Sequence, residues 1–343
     1  MAGNQKVERD HLKKETIVFG PILIAPYHIP HHHPSRREEI EQVAHPYALI
    51  HQALTLYNQY LVHKSESLKA SFLKCADSLA NRLVITRNFG VWPYYCLILR
   101  ARMYGCKIPW VSALAQGQGV SALVRAYTLT DDNKYIVAAK YALRAFDVPM
   151  GDGGVLFVDS DDDDWWYEEY ACGCSLPSGV LNGFILALLG VHDFHILTDD
   201  KFSKKLFDKG ILTLCHHLND FDTNYPYKLT YYDRLEHIVT MDYHSLHIDL
   251  MKILYEITHK NIFRKYWERW ERYRREWTQH RAYRWLSKLH YIKSGYDHRL
   301  SIEHDLKDSI RLYGFWKGWM RYFGFLRAPA VRERYKKTSR TKG

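Results

Sequence analysis

Cysteine is sparse: six in 343 residues, at positions 75, 96, 106, 172, 174 and 215. Cys172 and Cys174 are split by one glycine, which is not zinc-ribbon spacing. In a chain this long, without a signal segment, free thiols are expected rather than a disulfide framework, and a metal or redox role for that pair is the minor alternative. The glycine-rich string AQGQG, Ala115–Gly119, lacks the Gly-Lys-Ser/Thr of a phosphate loop. No apolar run reaches the length of a membrane span, and the opening MAGNQKVERDHLKKET has no apolar signal core. A cytoplasmic location is the expectation. Hydrophobic residues make up 47% of the chain, enough to bury a full core and to exclude a disordered protein.

Acidic residues are scarce at one end only. From Lys260 to Gly343, 23 Lys+Arg stand against 8 Asp+Glu, a net of +15, whereas the remainder carries 25 against 30, a net of −5. Such asymmetry predicts an anionic partner, either a polymer or a lipid surface. The basic end interleaves Arg and Lys with aromatics, in YWERWERYRREW and YGFWKGWMRYFGFL. A mix of this kind suits nucleic acid, but nothing else in the sequence supports that partner, and none is expected. A polyanion-binding edge and a segment lying on an anionic membrane surface, at the inner face, remain as the two readings.

The chain divides into three. Residues 1–35 read as irregular, with a strand-like run over Ile17–Ala25 and a Pro-flanked His31-His32-His33 that is expected to be a solvated linker rather than a metal site. Residues 36–277 carry the helical pattern, and 278–343 form the basic aromatic extension. Apolar residues recur at three- and four-residue spacing in REEIEQVAHPYALIHQALTLYNQYL and SESLKASFLKCADSLANRL, with Ser65 or Ser67 as N-cap. RNFGVWPYYCLILRARMYGCKIPW, punctuated by glycine and proline, reads as a β-hairpin region. Helices resume on either side of Asp131-Asp132, GGVLFVDS is a short strand, and PSGVLNGFILALLGVHDFHILT is an apolar helix. An amphipathic helix, a strand or hairpin arm at YKLTYYDRL and a final helical pair follow. Paired helices with short aromatic loops predict a mainly α fold: an α/α toroid, or incomplete α/α barrel, of helical hairpins with short β-hairpins lining a cleft. An open cleft suits a polymer substrate.

The string DDDDWWYEEY, Asp161–Tyr170, sets acids and aromatics just ahead of the apolar helix. Asp161–Asp164 reads as a solvated turn, with a calcium site as the alternative. Trp166 offers a face on which a sugar ring stacks. Glu169 and Tyr170 are adjacent, and Tyr243 lies in a separate string from which it can face them. A tyrosine, with an ordinary pKa of about 10, serves as an acid unaided, but as a base it needs a nearby Arg or Lys. Gln116 and Gln118 can bond sugar hydroxyls, and Arg125 can pair with a carboxylate of the substrate or of the fold. His244 and His247 share a helical face; with no third ligand, core or substrate hydrogen bonding is favoured over metal.

Three stretches resemble the C-terminal catalytic domain of D-glucuronyl C5-epimerases, which convert glucuronate to iduronate in heparan-type polymers. They are WVSALAQGQGVSALVRAYTLT (Trp110–Thr130), WYEEY with VLNGFILALLGVHD (Trp166–Tyr170 and Val180–Asp193), and YD with DYHSLHIDLMKIL (Tyr232-Asp233 and Asp242–Leu254). The resemblance covers about residues 80–275. It implies that Glu169, Tyr170 and Tyr243 match acid/base positions and that Tyr232 matches another tyrosine of the site. It further implies a substrate contact from Arg234, beside the candidate substrate contacts Trp166, Gln116, Gln118, Arg125, His244 and Asn182. The family pattern reads Tyr-Asp-Leu-Arg-His, whereas here Arg234 directly follows Tyr232-Asp233. The implied reaction inverts C5 of glucuronate within an anionic, heparosan-like polysaccharide by removing a proton from one face and returning one to the other. No cofactor and no metal are implied, and a homodimer is compatible. A lyase eliminating from the same C5 position, or a non-catalytic glycan-binding protein, are the rival readings.

Overall fold

The computed structural model describes residues 45–160, 162–173, 177–223, 227–280, 282–283 and 285–287. The strand-like Ile17–Ala25 run, His31–His33, Asp161, Cys174 and nearly all of the basic extension therefore lie outside the described residues.

Helix α1, Pro46–His63, begins with proline, whose fixed φ suits a first helical turn. It buries Leu49, Ile50, Ala53, Leu54 and Tyr57, the spacing of a single helical stripe. Helix α2, Glu66–Arg82, buries Phe72, Cys75, Ala76 and Leu79 and packs back on α1; Ser65 is its N-cap residue, although no side-chain cap bond forms. Strands β1, Val84–Thr86, and β2, Phe89–Val91, form a short antiparallel hairpin. Helix α4, Ala113–Thr130, is capped by the Ser112 hydroxyl, and helix α5, Asn133–Arg144, by the Asp132 carboxylate, which accepts from the Lys134 N–H at 3.0 Å. A second hairpin joins β3, Leu156–Val158, to β4, Trp165–Tyr167. Helices α6, Leu181–Thr198, and α7, Lys201–His217, follow, and then α8, Met241–Thr258, and α9, Asn261–Gln279.

Four helical hairpins result: α1 with α2, α4 with α5, α6 with α7, and α8 with α9. The first helix of each touches the first helix of the next, α1 on α4, α4 on α6 and α6 on α8, while the second helices cover them. The protein is thus mainly helical with two short antiparallel β-hairpins. The described residues form an arc of hairpins, and no closed toroid or barrel is detected among them. The close approach of α4 and α6 depends on glycine: a Cβ at Gly190 would overlap the Gly117 carbonyl, and one at Gly117 would overlap the backbone of Ala187.

Three expectations are corrected. The stretch 87–110 is not strand throughout. After β2 it makes only an isolated bridge between Tyr94 and Trp110, and between these lies a short helix α3, Leu99–Met103. Leu, Arg, Ala and Met are all good helix formers, and they outweigh the flanking glycine and proline. The YKLTYYDRL stretch forms no strand; it contributes the isolated bridges Asp222–Thr230 and Tyr231–Ile238. Finally, α6 is long and apolar enough to cross a membrane by composition, contrary to the expectation of no such run, but 83% of it is buried within the fold. It is the central core helix. The five cysteines among the described residues carry thiols rather than disulfides, the expected state.

Candidate active site

The strip that carries Trp166 to Tyr170 is held on two sides. Glu168 N–H donates to the Val155 carbonyl at 2.8 Å, and Ala113 N–H donates to the Glu168 carbonyl at 2.9 Å. Ala171 and Val111 exchange bonds of 2.9 and 3.0 Å. With its backbone fixed in this way, the strip sends its two glutamates to different places. The Glu168 carboxylate accepts from the Ser178 N–H and hydroxyl at 2.9 and 2.8 Å and from the Gly179 N–H, so it pins the turn that leads into α6. That turn is in turn tied to the 232–234 segment, since Leu181 N–H donates to the Tyr232 carbonyl and Arg234 N–H to the Ser178 carbonyl.

Glu169 points the other way, into a cluster of aromatic side chains. Its carboxylate lies against Gly183 in the first turn of α6, where a Cβ would meet Glu169 Cδ at 2.8 Å and Cβ at 2.9 Å. Glycine at 183 is what admits the carboxylate. Glu169 is 8% exposed, and its Oε2 has no hydrogen-bond partner. Burial pushes its pKa up to about 7, against the opposing pull of Arg100 and of hydrogen bonds with Tyr170 and Tyr232. A carboxyl group that titrates near neutrality is what a general base for a weakly acidic carbon requires.

Tyrosines surround it. The Tyr170 ring stacks on Trp110 at 5.6 Å and lies 4.9 Å from Tyr104; Trp110 stacks in turn on Tyr94 at 4.0 Å. Tyr232 meets Tyr243 edge-on at 5.6 Å. Tyr243 stands in the first turn of α8 and is only partly buried. Burial raises Tyr104, Tyr170 and Tyr232 well above their ordinary value, with the Glu169 carboxylate adding to the shift in Tyr170 and Tyr232. Tyr243 is raised to about 12, again mainly by burial. These phenols are proton donors at neutral pH. Tyr47, at the start of α1, is likewise raised by burial and by the Glu169 and Tyr243 charges. Arg100, on α3, sits over the Tyr232 ring with its guanidinium carbon 3.8 Å from the centroid. Below this layer, Tyr104 donates to Asp233 Oδ2, which His237 Nδ1 also approaches at 2.7 Å. Burial alone would raise Asp233, but the His237 charge and these hydrogen bonds hold it below the usual carboxylate range.

The structure therefore brings together Glu169, Tyr170, Tyr232 and Tyr243. It places the other expected contacts elsewhere. Arg234 pairs with Asp159 at 3.0 Å and Asp220 at 3.6 Å and lies over Trp166. Trp166 itself is buried against Phe184 and His217. The Gln116 amide serves the fold, accepting from Trp92 N–H and donating to the Gly90 and Ala142 carbonyls; Gln118 donates to the Leu186 carbonyl. Arg125 forms a buried ion pair with Asp193 at 2.6 Å. His244 Nε2 donates to the Trp270 carbonyl at 3.0 Å, and its Nδ1 and that of His247 share the Thr230 hydroxyl. Burial lowers the His244 pKa to about 4, so it is neutral there. Asn182 is fully buried with neither amide atom bonded. Arg100, Tyr104, Tyr94, Tyr47 and His237 belong to the cluster without having been singled out in the sequence.

A second group of charges lies behind Trp166. Asp162, Asp164 and His217 have ligand atoms within 4.8 Å of one another, a set that could hold a metal ion. His217 Nε2 is 3.1 Å from Asp164 Oδ2, its Nδ1 is 2.9 Å from Asp220, and His216 Nδ1 is 2.7 Å from Asp164. The hydrogen bond to Asp220 raises the His217 pKa, so the imidazolium itself can supply the positive charge between these acids.

A family model described as D-glucuronyl C5-epimerase C-terminus matches residues 86–272, more than half of the chain. The chain belongs to this family. Among curated relatives, an uncharacterized protein of Methanocaldococcus jannaschii is 33% identical over 185 residues, which is 53% of this chain and 58% of that protein. A D-glucuronyl C5-epimerase of Caenorhabditis elegans is 31% identical over 179 residues, 47% of this chain and 28% of that enzyme. The chain thus matches just over half of the first relative and little more than a quarter of the second. The family match agrees with the resemblance carried by the three motif strings, and it contains Arg100, Tyr104 and the whole Glu169–Tyr243 cluster.

Proposed function

We propose that this C5-epimerase family member acts on a uronate-containing polysaccharide and inverts C5 of D-glucuronate residues to L-iduronate, with a heparosan-like polymer as substrate. The observation that carries the reading is Glu169: a buried carboxyl group at about 7, hydrogen-bonded to two tyrosines and accompanied by a third. In the reaction, the C5–H bond breaks and its proton passes to the Glu169 carboxylate. The electron pair spreads into the C6 carboxylate, giving a dianionic enediolate. Tyr243, neutral at working pH, returns a proton to C5 from the other face and is later reprotonated. Tyr170 and Tyr232 each give their one O–H to the Glu169 carboxylate at rest; once Glu169 has taken the C5 proton, that O–H is released to donate to a developing oxyanion. A polymer substrate is the reading that an open arc of helical hairpins favours over a closed barrel. The basic composition of the C-terminal end, a net of +15 from Lys260 to Gly343, fits an anionic polymer or membrane surface as partner.

The test is incubation with N-acetylated and N-sulfated heparosan-type polymers, followed by proton NMR and ultraviolet absorbance. New iduronate signals at constant chain length support epimerisation. An ultraviolet-absorbing unsaturated product would assign a lyase that starts from the same proton, and no change with any uronate polymer would refute an enzyme of this class.

A further inference from the structure

The reaction proposed above piles negative charge on a carboxylate, so the site needs a cation, and the arginine implied by resemblance is occupied elsewhere. Arg234 is bound to Asp159 and Asp220 and lies over Trp166, on the Glu168 side of the strip. The Glu169 side is supplied from a different element. Helix α3 is short, and it places Arg100 and Tyr104 one turn apart, on one face. Tyr104 is anchored through Asp233, and Arg100 extends over the Tyr232 ring.

We propose that Arg100 is a catalytic residue of this reaction, the group that receives the C6 carboxylate of the uronate and holds it while C5 loses its proton. Three observations support this, and all of them rest on the functional reading just given. First, the guanidinium is buried, 7% exposed, at the junction of Tyr232 with Tyr104, Tyr170 and Tyr243. An arginine presents a planar fork that matches a carboxylate in two hydrogen bonds, a geometry that lysine lacks. Second, its charge acts on the groups that exchange protons, pulling down Glu169, Tyr170, Tyr232 and Tyr243 against the upward push of burial. Third, the charge balance works. Arg100 and an ionised Glu169 cancel, so a substrate carboxylate enters a neutral pocket; without Arg100 it would meet a like charge. The residue would also select charged sugars over neutral ones, because a neutral hexose offers the guanidinium no carboxylate to bind.

The test compares wild-type protein with Arg100→Gln and Arg100→Lys in deuterium exchange at C5 of a uronate polymer, across substrate concentration and pH. Arg100→Gln is expected to lower kcat/KM by about 100-fold or more, and to move the ascending limb of the pH profile to higher pH, because the charge that lowers Glu169 is gone. Arg100→Lys is expected to keep the limb near its wild-type position while raising KM, since the charge remains and the fork does not. A purely structural role would depress every rate alike and leave the limb in place. An Arg100→Gln enzyme with wild-type KM and an unmoved limb overturns the proposal. Should Arg100→Gln fail to fold, an unchanged KM in Arg100→Lys does the same. If wild-type protein exchanges no uronate proton, the functional reading has failed first. Arg100 is then judged by NMR titration with glucuronate against glucose: preference for the acid, lost in the variant, upholds its role as a carboxylate receptor, and equal binding by both proteins sinks it.

Discussion

Glu169 illustrates how a single residue's surroundings set its chemistry. An exposed glutamate is fully ionised at neutral pH and a feeble base; burial beside Gly183 and the tyrosines brings it to about 7. The rate of C5 exchange should therefore climb with pH through about 7 as Glu169 ionises, measured at saturating polymer. The same shift has an opposite effect on stability. A carboxyl group whose folded pKa is raised stabilises the fold below its unfolded value and loses that contribution as pH rises through the folded one. Glu169→Gln should then be inactive yet melt higher than wild type at pH 8.5, with the gain vanishing near pH 4; equal melting temperatures at both pH values would contradict the burial argument. Tyr243→Phe, which removes one hydroxyl from a partly buried ring, should cost about 10²- to 10³-fold in turnover with little change in melting temperature. At this scale the sequence is legible where function is written in contiguous strings, as in WYEEY and DYH. Arg100 was not legible: it is one of 48 Lys+Arg, in a run whose glycines and prolines suggested a hairpin, and only the fold brings it to Tyr232.

Among the elements, α6 carries most of the design. Its apolar residues face neighbours on every side, so no amphipathic stripe marks its orientation, and its glycines decide what approaches it. Gly183→Ala gains helix propensity, worth about 1 kcal/mol in an exposed helix, but its methyl group would displace the Glu169 carboxylate. We expect a folded protein with activity down by about 100-fold or more. Gly190→Ala meets the rigid Gly117 backbone instead of a side chain, so it should destabilise the α4–α6 contact, by about 1–3 kcal/mol, read by denaturant titration. A mild effect on stability at 183 and a larger one at 190 would distinguish the two glycines. The amphipathic helices were legible from their spacing because packing and period agree, as in Phe263, Tyr266, Trp270 and Tyr273 of α9. Short elements such as α3 were not, since five residues are too few for a period to show.

For the whole molecule, the arc of hairpins explains why so many polar side chains of the motif strings are used internally. Gln118 and Arg125 tie α4 to α6, Gln116 ties α4 to β2 and α5, and His244 ties α8 to α9 and the 230 loop. The Arg125–Asp193 pair bridges α4 and α6 with almost no exposure, so Asp193→Ala, which strands a buried guanidinium, should cost about 3–5 kcal/mol. The site forms where the ends of these layers meet: β4 and α3 deliver Glu169, Tyr170 and Arg100 to one side, and the 232 loop and the start of α8 deliver Tyr232 and Tyr243 to the other. At this junction, on the function proposed above, a proton leaves and returns at C5, with Glu169 as the base. The most direct test is proton NMR of a heparosan-type polymer in D₂O with wild-type protein and with Glu169→Gln. The glucuronate H5 signal is expected to be lost with wild type, without chain cleavage, and retained with the variant. Equal exchange by both proteins would remove Glu169 from the chemistry and contradict the mechanism.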